Sequence, residues 1–292
     1  MLRFAIPKGS LEEQTLSLLE SADLRMRRGS TRDYHGTIDD DRIERVSLLR
    51  PQEIPVYVQE GFFDLGITGH DWVEETGADV EVLSSLTYAK GGVGRPVKVV
   101  LAVMNDHPAG KGQDLPDGTR ISTEYPELTK RHFEKLGIEV RVFASYGATE
   151  AKVPEIVDAI VDVSETGSTL RAHGMKIIET LMESEVYLIA NRASWADEAK
   201  RRAMEDIRTL VIGAMEARGR VLIKLNVTRD KLDGLLEVLP AMKAPTVSPL
   251  AGEDDFAVET VVPKAEVNRL IPVLVSRGAT DILEMPISKI IP

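Results

Sequence analysis

Short apolar segments of strand length alternate with amphipathic segments of helical length over the first two thirds of the chain. DLGITG at 64–69 precedes HDWVEETG at 70–77, and DAIVDV at 158–163 precedes LRAHGMKIIETLME at 170–183. Such alternation is typical of mostly parallel α/β sheets, whose ligands bind at the carboxyl ends of the strands. The sequence therefore predicts an α/β fold with two such units. The other predicted strands are RFAI, VKVVLAVM, RISTE and VRVFAS, and the other predicted helices are LEEQTLSLLESA and YPELTKRHFEKLG.

The pattern changes in the last third of the chain. VYLIANR at 186–192 is interpreted as a strand that returns to the first unit, and a long helix is predicted from WADEAKRR onward to Gly219. Beyond Gly219 the order strand, helix, two strands, helix, strand predicts a ferredoxin-like βαββαβ domain of about seventy residues. The cluster of Gly91, Gly92 and Gly94 is interpreted as a crossover between the two α/β units, because no nucleotide-binding GxGxxG follows a strand there.

Composition and charge exclude several classes of protein. The chain has 292 residues, 43% of them hydrophobic, and no Cys, which rules out disulfides and thiolate metal sites. Its 36 basic and 47 acidic residues give a formal charge of −11, which disfavours nucleic acid as a partner. The amino terminus lacks a signal-peptide pattern, and no apolar run approaches membrane-spanning length. We therefore expect a soluble, cytoplasmic protein without a membrane partner.

The segment Asp158–Leu170, DAIVDVSETGSTL, carries the strongest functional signal. Thr166, Gly167, Ser168 and Thr169 place short hydroxyls and accessible N–H groups at a predicted helix start, which suits a phosphate dianion. Asp162 and Glu165 lie just upstream, where they could meet ribose hydroxyls or a metal ion. The alternative interpretation is a strand, a turn and a helix capped by Ser168 or Thr169.

The whole chain resembles the ATP phosphoribosyltransferase family, the first enzymes of histidine biosynthesis, in the long form with a C-terminal regulatory domain. Ordered blocks at the expected separations carry the resemblance: AIPKGSLEE at 5–13, RPQEIPVYVQEGFFDLGITGHD at 50–71, ISTEYPELTKRHF at 121–133, the loop at 158–170, APTVSPL at 244–250 and GATDILEMPISKII at 278–291. Several blocks in order are much harder to obtain by chance than one.

The resemblance implies a fold and a reaction. The fold is two α/β lobes of the periplasmic-binding-protein type II, which form a cleft, plus a ferredoxin-like, ACT-like C-terminal domain. The implied boundaries are 1–91 with 180–217 for lobe I, 92–179 for lobe II and 218–292 for the regulatory domain. The implied reaction moves the phosphoribosyl group of phosphoribosyl pyrophosphate (PRPP) onto N1 of ATP, releases pyrophosphate and requires Mg²⁺. Histidine is the implied feedback inhibitor, and the implied assembly is a homo-oligomer, a dimer that forms hexamers.

The family pattern also implies residue roles. Asp162, Ser164, Glu165, Thr166, Gly167, Ser168 and Thr169 match the PRPP loop, with 166–169 on the 5-phosphate. Glu150 matches a glutamate expected near the ribose or its Mg²⁺, which Glu150 and Asp162 are candidates to bind. Lys8 is expected to face pyrophosphate or the ATP phosphates, and Asp162, Glu150 and Lys8 form the implied catalytic set. For Glu150 the alternative is a capping or surface role, and for Lys8 a solvated loop charge.

The ATP and histidine sites are implied by fewer residues. Lys8, Gly9, Ser10, Asp71 and Tyr125 are the implied ATP contacts; for Asp71 and Tyr125, helix capping and aromatic core packing are the alternatives. Ser10 stands where the family often has Arg, so Arg3, Arg32 or Arg95 is a candidate replacement. The implied histidine contacts are Asn226, Met242 and Thr246, although Asn226 and Thr246 could equally be strand-end residues that satisfy the backbone.

Two other functions remain open. One is a phosphoribosyltransferase with another acceptor base. The other is a non-enzymatic small-molecule sensor, since two such lobes and a ligand-binding domain could form a regulator. A sensor has no use for acids placed before a phosphate-binding helix start, and a transcriptional sensor would need a basic DNA-reading element that this acidic chain lacks.

Overall fold

The computed structural model describes residues 1–30, 32–86, 88–89, 92–93, 96–240, 242, 244–252 and 254–291. The chain forms two compact units. The first comprises Met1–Glu20 with Leu24–Arg208, and the second comprises Ser21–Asp23 with Thr209–Pro292. The helices of the described residues include none that is both long and apolar enough to cross a membrane.

The described strands of the first unit fall in chain order as follows: β1 Leu2–Pro7, β2 Met26–Arg27, β3 His35–Ile38, β4 Ile43–Leu49, β5 Leu65–Gly69, β6 Glu81–Leu86, β7 Tyr88–Ala89, β8 Gly92–Val93, β9 Val97–Met104, β10 Thr119–Thr123, β11 Val140–Ala144, β12 Ala159–Ser164, β13 Met175–Ser184 and β14 Val186–Ala190. The helices that begin in this unit are α1 Glu12–Ser21, α2 Ile54–Gln59, α3 His70–Thr76, α4 Pro126–Leu136, α5 Ser168–Ala172, α6 Arg192–Ala196 and α7 Glu198–Ala217, with 3₁₀ turns at Gly112–Asp114 and Thr149–Lys152.

The first unit contains two large sheets with the same central topology. One sheet has the order β2-β3-β4-β1-β5-β14-β6, and the other has the order β11-β10-β12-β9-β13. In each, the first parallel strand lies between the second and the third, as β4-β1-β5 and as β11-β10-β12. The next position is taken by an antiparallel strand, β14 or β9, which enters after the chain has crossed from the other sheet. This exchange of strands is the topology of the type II periplasmic-binding-protein fold, as expected.

The carboxyl ends of β1, β5, β10 and β12 therefore determine where a ligand can bind.

Each sheet has its own buried apolar side chains. Phe4, Ile6 and Ile67 lie in the first sheet, and Val99, Leu101 and Val161 lie in the second, where they pack against Phe133 of α4. The strands that the sequence predicted at 64–69, 97–104 and 158–163 are confirmed, within one residue at each end.

The structure corrects the prediction for 170–183. The helix α5 ends at Ala172, and residues 175–184 form the edge strand β13, which pairs antiparallel with β9. The predicted domain boundary at 180 falls inside this strand. The expectation of mostly parallel sheets is also wrong, because β9, β13 and β14 are all antiparallel to their neighbours.

Other parts of the first unit were not predicted or differ in detail. The strands β2, β3, β4 and β6 were not predicted. The predicted long helix is broken, because α6 ends at Ala196 and α7 runs from Glu198 to Ala217 before Gly219, whose φ is +70°. Gly91 and Gly94 of the predicted crossover lie outside the described residues, and Gly92 belongs to β8, which pairs with β7.

The second unit contains the C-terminal domain. Its elements are β15 Arg220–Thr228, α8 Arg229–Leu236, β16 Thr246–Pro249, β17 Asp255–Pro263, α9 Lys264–Ser276 and β18 Thr280–Pro286. The antiparallel sheet has the order β16-β17-β15-β18, the ferredoxin-like arrangement. Val221, Ile223, Leu225 and Val227 alternate inward along β15 and pack with Val267 and Leu274 of α9. The predicted βαββαβ order is confirmed.

Candidate active site

The first unit contains a cleft of about 620 Å³ at the carboxyl ends of its parallel strands. Ser10 follows β1, Gly69 ends β5, Glu124 follows β10, and Asp162 lies near the end of β12. The cleft is thus lined from both sheets, and it is large enough for a drug-sized ligand. The predicted residues that line it are Ser10, Asp71, Tyr125, Glu150, Asp162, Ser164, Glu165, Thr166, Ser168 and Thr169.

The segment 164–169 forms a tight polar loop between β12 and α5. Gly167 has φ +72°, a left-handed conformation that favours glycine, and its N–H donates to Oγ of Ser164 over 2.8 Å. The hydroxyl of Thr166 donates to Oγ of Ser168 over 3.0 Å. Because α5 has only five residues, its dipole is small. The loop's capacity for an anion therefore depends on its own hydroxyls and N–H groups.

Carboxylates lie within this loop and near it. Asp162 precedes it on β12, Glu165 lies within it, and Glu150 enters the cleft from the 3₁₀ turn Thr149–Lys152. Oδ1 of Asp162 accepts the N–H of Val163 over 2.7 Å. Oε1 of Glu150 lies 3.7 Å from Nε2 of His173, which follows α5. The arrangement places a polar loop of hydroxyl and N–H groups beside carboxylates, which would suit a ribose 5-phosphate with free hydroxyls.

Asp71 and Tyr125 meet at the wall of the same cleft. The phenol of Tyr125 donates to Oδ2 of Asp71 over 2.6 Å, and the hydroxyl of Ser184 donates to Oδ1 over 2.7 Å. Asp71 is 5% exposed and Tyr125 is 3% exposed. Burial, followed by the negative charge of Asp71, raises the pKa of Tyr125 well above its usual value. Tyr125 therefore stays protonated and remains a donor.

Gly69 allows this approach. A Cβ at Gly69 would collide with Oδ1 of Asp71, so the strand end must be glycine for the carboxylate to lie against it. The Tyr125 ring also stacks on Trp72, with ring centroids 4.5 Å apart and planes 27° from parallel. Both rings belong to the core of the second sheet. Tyr125 thus combines core packing, one of the alternatives for this residue, with a place in the cleft.

Helix α3 is fixed to the start of helix α4 next to this site. The buried carboxylate of Glu75 accepts the N–H of Glu127 over 3.0 Å and the N–H of Leu128 over 2.8 Å. A carboxylate at a helix N-terminus satisfies free donors and interacts favourably with the dipole. Trp72, Glu75 and Asp71 of α3 therefore connect strand β5 of the first sheet with the loop after β10 of the second.

Lys8, Gly9 and Ser10 follow the end of β1 at Pro7. Of these three residues, Ser10 lines the cleft. The ammonium of Lys8 lies 3.7 Å from the centroid of the Tyr34 ring, which is a cation–π contact. The N–H of Gly9 donates to Oε2 of Glu12 over 3.4 Å, and Gly9 has φ +93°. The implied phosphate contacts of Lys8 and Gly9 stay predictions.

Three arginines were predicted as candidates to replace the Arg that the family often has at the position of Ser10, and the structure describes two of them, Arg3 and Arg32. Arg3 pairs with buried Asp64, its Nε 3.3 Å from Oδ2, and donates to the carbonyl of Gly61 over 2.7 Å. Arg3 is therefore engaged in the fold. Arg95 lies outside the described residues, and Arg32 is an exposed residue whose N–H donates to Oγ of Ser30 over 3.1 Å.

Sequence reasoning missed several residues at or near the cleft. NH1 of Arg171, which is not among the lining residues, lies 2.8 Å from the position that a Cβ of Gly167 would occupy, so a guanidinium lies beside the loop. Its place three residues after Ser168, on the same face of α5, was the available signal. Glu124 and Ser184 line the cleft itself. Ser184 had no signal, because its partner Asp71 is 113 residues away in sequence.

The implied histidine contacts lie in the C-terminal domain. Nδ2 of Asn226, on β15, donates to Oδ2 of Asp281 over 3.0 Å. Thr246 is an exposed residue at the start of β16, where it pairs with Glu259 of β17. Sδ of Met242 lies 3.4 Å from NH1 of Arg220. Strand β17 separates β15 from β16, so a shared histidine site for these residues stays a prediction.

The donor set of the cleft fits a hard cation that arrives with its substrate. The described residues contain no group of three or more His, Cys, Asp or Glu side chains arranged to hold a metal. Mg²⁺ commonly takes one or two carboxylates and completes its coordination with substrate phosphates and water. Glu150 and Asp162 can supply such carboxylates.

Comparison with known proteins agrees with this geometry. Residues 50–212 match the family described as ATP phosphoribosyltransferase, and residues 217–289 match the domain described as HisG, C-terminal domain. The ATP phosphoribosyltransferase of Desulforudis audaxviator is 46% identical over 293 residues, which cover 100% of this chain and 99% of that protein. That of Pelotomaculum thermopropionicum is 44% identical over 291 residues, with the same coverage.

A solved structure supports the same family. The structure described as the ATP phosphoribosyl transferase (HisG:HisZ) complex from Thermotoga maritima matches with a TM-score of 0.60 and 25% identity. The match covers 72% of this chain and 98% of that one. The match at 217–289 adds the C-terminal domain. The chain therefore belongs to the ATP phosphoribosyltransferase family, in its long form.

Proposed function

We propose that the chain transfers the 5-phosphoribosyl group of PRPP to N1 of ATP in the cleft, the first step of histidine biosynthesis. The observation that carries the proposal is the convergence of the loop 164–169 with the carboxylates of Asp162 and Glu150 in one cavity, which Asp71 and Tyr125 also line. Family membership supports the reaction, and this convergence supports its location.

The loop binds the 5-phosphate of PRPP. The hydroxyls of Thr166, Ser168 and Thr169 and the N–H groups of the same segment donate to phosphate oxygens. The guanidinium of Arg171, beside Gly167, adds positive charge. The carboxylates of Asp162 and Glu150 accept hydrogen bonds from the ribose hydroxyls. These contacts hold the anomeric carbon at a fixed position in the cleft.

The reaction exchanges one bond at the anomeric carbon for another. The bond between C1 of the ribose and the pyrophosphate oxygen breaks, and pyrophosphate leaves with the electron pair. N1 of adenine then supplies its lone pair to C1. Positive charge develops on the ring in the transition state, where Asp162 and Glu150 stabilise it electrostatically. Positioning provides the rest of the acceleration, and no covalent nucleophile is required.

The adenine of ATP binds on the side of Asp71 and Tyr125. Because Tyr125 stays protonated, its oxygen can accept a hydrogen bond from the adenine amino group while its O–H still donates to Asp71. The buried Ser184–Asp71–Tyr125 chain of hydrogen bonds holds the phenol in place. Lys8, Gly9 and Ser10, at the end of β1, face the phosphates.

Mg²⁺ would be held by PRPP oxygens together with Glu150 or Asp162, and it would neutralise charge on the departing pyrophosphate. Removal of divalent cations with a chelator should abolish turnover, and Mg²⁺ should restore it. Calorimetry with PRPP alone, with and without Mg²⁺, measures the contribution of the cation to binding.

The test of the acceptor uses the purified full-length chain with PRPP, Mg²⁺ and pyrophosphatase. ATP or another base is added, and ultraviolet absorbance and released phosphate are followed. Product is expected with ATP. Product with a different base only would overturn the acceptor and leave phosphoribosyl transfer in place. Binding of PRPP without turnover for any base would support the sensor instead.

Three further properties rest on the family alone. We propose that histidine binds the C-terminal domain near Asn226, Met242 and Thr246 and inhibits the enzyme. We also propose a homo-oligomer, a dimer that assembles to a hexamer, and a cytoplasmic location. Sedimentation of the purified chain with and without histidine measures the assembly.

A further inference from the structure

Glu150 reaches the cleft from a turn whose backbone is strained. Gly147 has φ +123° and Ala148 has φ +47°, and the 3₁₀ turn Thr149–Lys152 follows directly. A non-glycine residue in the left-handed region costs about 1 kcal/mol or more and persists only where surrounding contacts impose it. Some contact must therefore hold this turn in place.

A cluster of buried hydroxyls beneath the turn provides the contact. Oγ of Ser145 lies 2.9 Å from Oγ1 of Thr149, and the N–H of Ser145 donates to the carbonyl of Thr123 over 2.7 Å. Ser122, Ser145 and Thr149 are all nearly inaccessible to solvent. Ser122 belongs to β10, and Ser145 follows β11. The hydroxyls thus join the turn to the carboxyl ends of two neighbouring strands.

Lys152 ties the far end of the turn to the same cluster. Its ammonium donates to Oγ of Ser145 over 2.6 Å and to Oγ of Ser122 over 3.4 Å. The Lys152 side chain therefore turns back from the end of the 3₁₀ turn to the strand ends. Glu150 lies between Thr149 and Lys152, the two residues that anchor the turn. A charged donor makes a stronger hydrogen bond to a hydroxyl than a neutral donor does.

We propose that Lys152 is a positioning residue for Glu150. Its ammonium fixes the strained turn on β10 and β11, and this holds the Glu150 carboxylate at the ribose side of the cleft. Lys152 acts through Glu150 and makes no contact with substrate. The inference rests on the proposed role of Glu150 in PRPP binding and catalysis.

The test is a double-mutant cycle on the full chain with PRPP, Mg²⁺ and ATP. Glu150→Gln and Lys152→Met should each lower kcat/KM for PRPP, the first by about 100-fold and the second by about 10-fold or more. In both variants the loss should be shared between a lower kcat and a higher KM for PRPP in the same proportion. KM for ATP should stay within about twofold of the wild type. In the double variant, kcat/KM for PRPP should lie within about twofold of its value in Glu150→Gln, because Lys152 acts only through Glu150.

Two variants separate positioning from general stability. Lys152→Arg, which keeps a charged donor, should recover most of the activity. Ser145→Ala, which removes one acceptor and leaves Lys152 in place, should show the Lys152→Met pattern more weakly and keeps the test valid if Lys152→Met fails to fold. Lys135→Met, at an exposed position of α4, is the matched control and should behave as wild type.

The outcomes distinguish this inference from the proposed function. If Glu150→Gln is impaired and Lys152→Met is not, the positioning role is overturned and the function of Glu150 stands. Multiplying losses in the double variant would also overturn it, because Lys152 would then act independently. If Glu150→Gln has full activity, the role of Glu150 fails and the inference fails with it.

Discussion

The phenol of Tyr125 donates a 2.6 Å hydrogen bond to the carboxylate of Asp71, 54 residues earlier in the chain. Asp71 belongs to α3, after a strand of the first sheet, and Tyr125 precedes α4, after a strand of the second. The same carboxylate accepts the hydroxyl of Ser184. A buried polar chain therefore links the two sheets at the edge of the cleft.

Replacing Tyr125 with Phe should destabilise the fold. The variant keeps the stacking on Trp72 but leaves a buried carboxylate oxygen of Asp71 without its donor, which costs about 1–3 kcal/mol. Urea unfolding at neutral pH measures the loss. Tyr146→Phe is the matched control, because Tyr146 is 98% exposed, and it should leave the stability unchanged. Equal stability of the two variants would show that the Tyr125–Asp71 bond contributes nothing.

Helix α4 should depend on a carboxylate from α3. Glu75→Gln removes the charge that accepts two N–H groups in the first turn of α4, and we expect a loss of about 1–2 kcal/mol in the free energy of unfolding. Glu127→Gln alters an exposed carboxylate on the same turn that pairs with Lys130, and it should cost less than about 0.5 kcal/mol. A larger loss for Glu127→Gln than for Glu75→Gln would contradict this account.

Asp64 should make stability depend on acid pH. Burial by itself raises the pKa of its carboxyl, but hydrogen bonds from Lys200, the N–H of Arg3 and Ser194 outweigh burial and lower the pKa to about 2. Since this folded-state pKa lies below the usual 3.8, ionised Asp64 stabilises the fold above about pH 4. That stabilisation, about 2 kcal/mol, is lost as the pH falls from 3.8 towards 2.

Urea unfolding at a series of pH values from about 6 to about 2.5 tests this, with Asp64→Asn beside the wild type. The variant should be less stable near neutrality and should lose less stability on acidification. Asp79→Asn removes an exposed carboxylate that pairs with Arg192 and should keep the wild-type pH dependence. An unchanged pH dependence in Asp64→Asn would mean that Asp64 titrates with an ordinary pKa.

The loop hydroxyls should be needed for PRPP. Thr166→Val with Thr169→Val removes two donors to the 5-phosphate, each worth about 1.5 kcal/mol or more, so kcat/KM for PRPP should fall by about 100-fold or more. Valine keeps the branched shape of threonine. Thr37→Val, at an exposed position of β3, is the control and should retain full activity. Full turnover in the double variant would show that the 5-phosphate does not depend on these hydroxyls for binding.

The sequence could predict the features that are local in the chain. The strands at 64–69 and 97–104 are short, mostly apolar segments, and the loop 164–169 is one contiguous motif, most of whose residues line one cleft. Contacts between distant residues carry no such signal. The bonds of Asp71 to Tyr125 and Ser184 depend on how two sheets bring their strand ends together. The bond of Lys152 to Ser122 depends on how the turn after β11 lies against the neighbouring strand β10.

The wrong helix at 170–183 has a physical cause. Strand β13 contains two irregularities, at Ile177/Glu179 and Thr180/Met182, where two of its residues oppose one residue of β9. The extra residues are Ile178 and Leu181. Each shifts the alternation of apolar side chains by one position, so a spacing of two becomes a spacing close to three or four. That spacing is typical of a helix, and the sequence alone could not distinguish the two.

Histidine should bind the C-terminal domain and lower activity. Millimolar histidine is expected to reduce turnover and to raise the melting temperature, because a ligand that binds only the folded state stabilises it by mass action. Asn226→Ala and Thr246→Val should weaken both effects and keep the uninhibited activity, since both residues lie in the second unit, outside the cleft. Enzyme assays and thermal unfolding with histidine, and with D-histidine as control, measure this. If neither activity nor melting temperature responds to histidine, the proposed regulatory role is wrong. The proposed catalysis is unaffected by that result, because the residues that line the cleft all belong to the first unit.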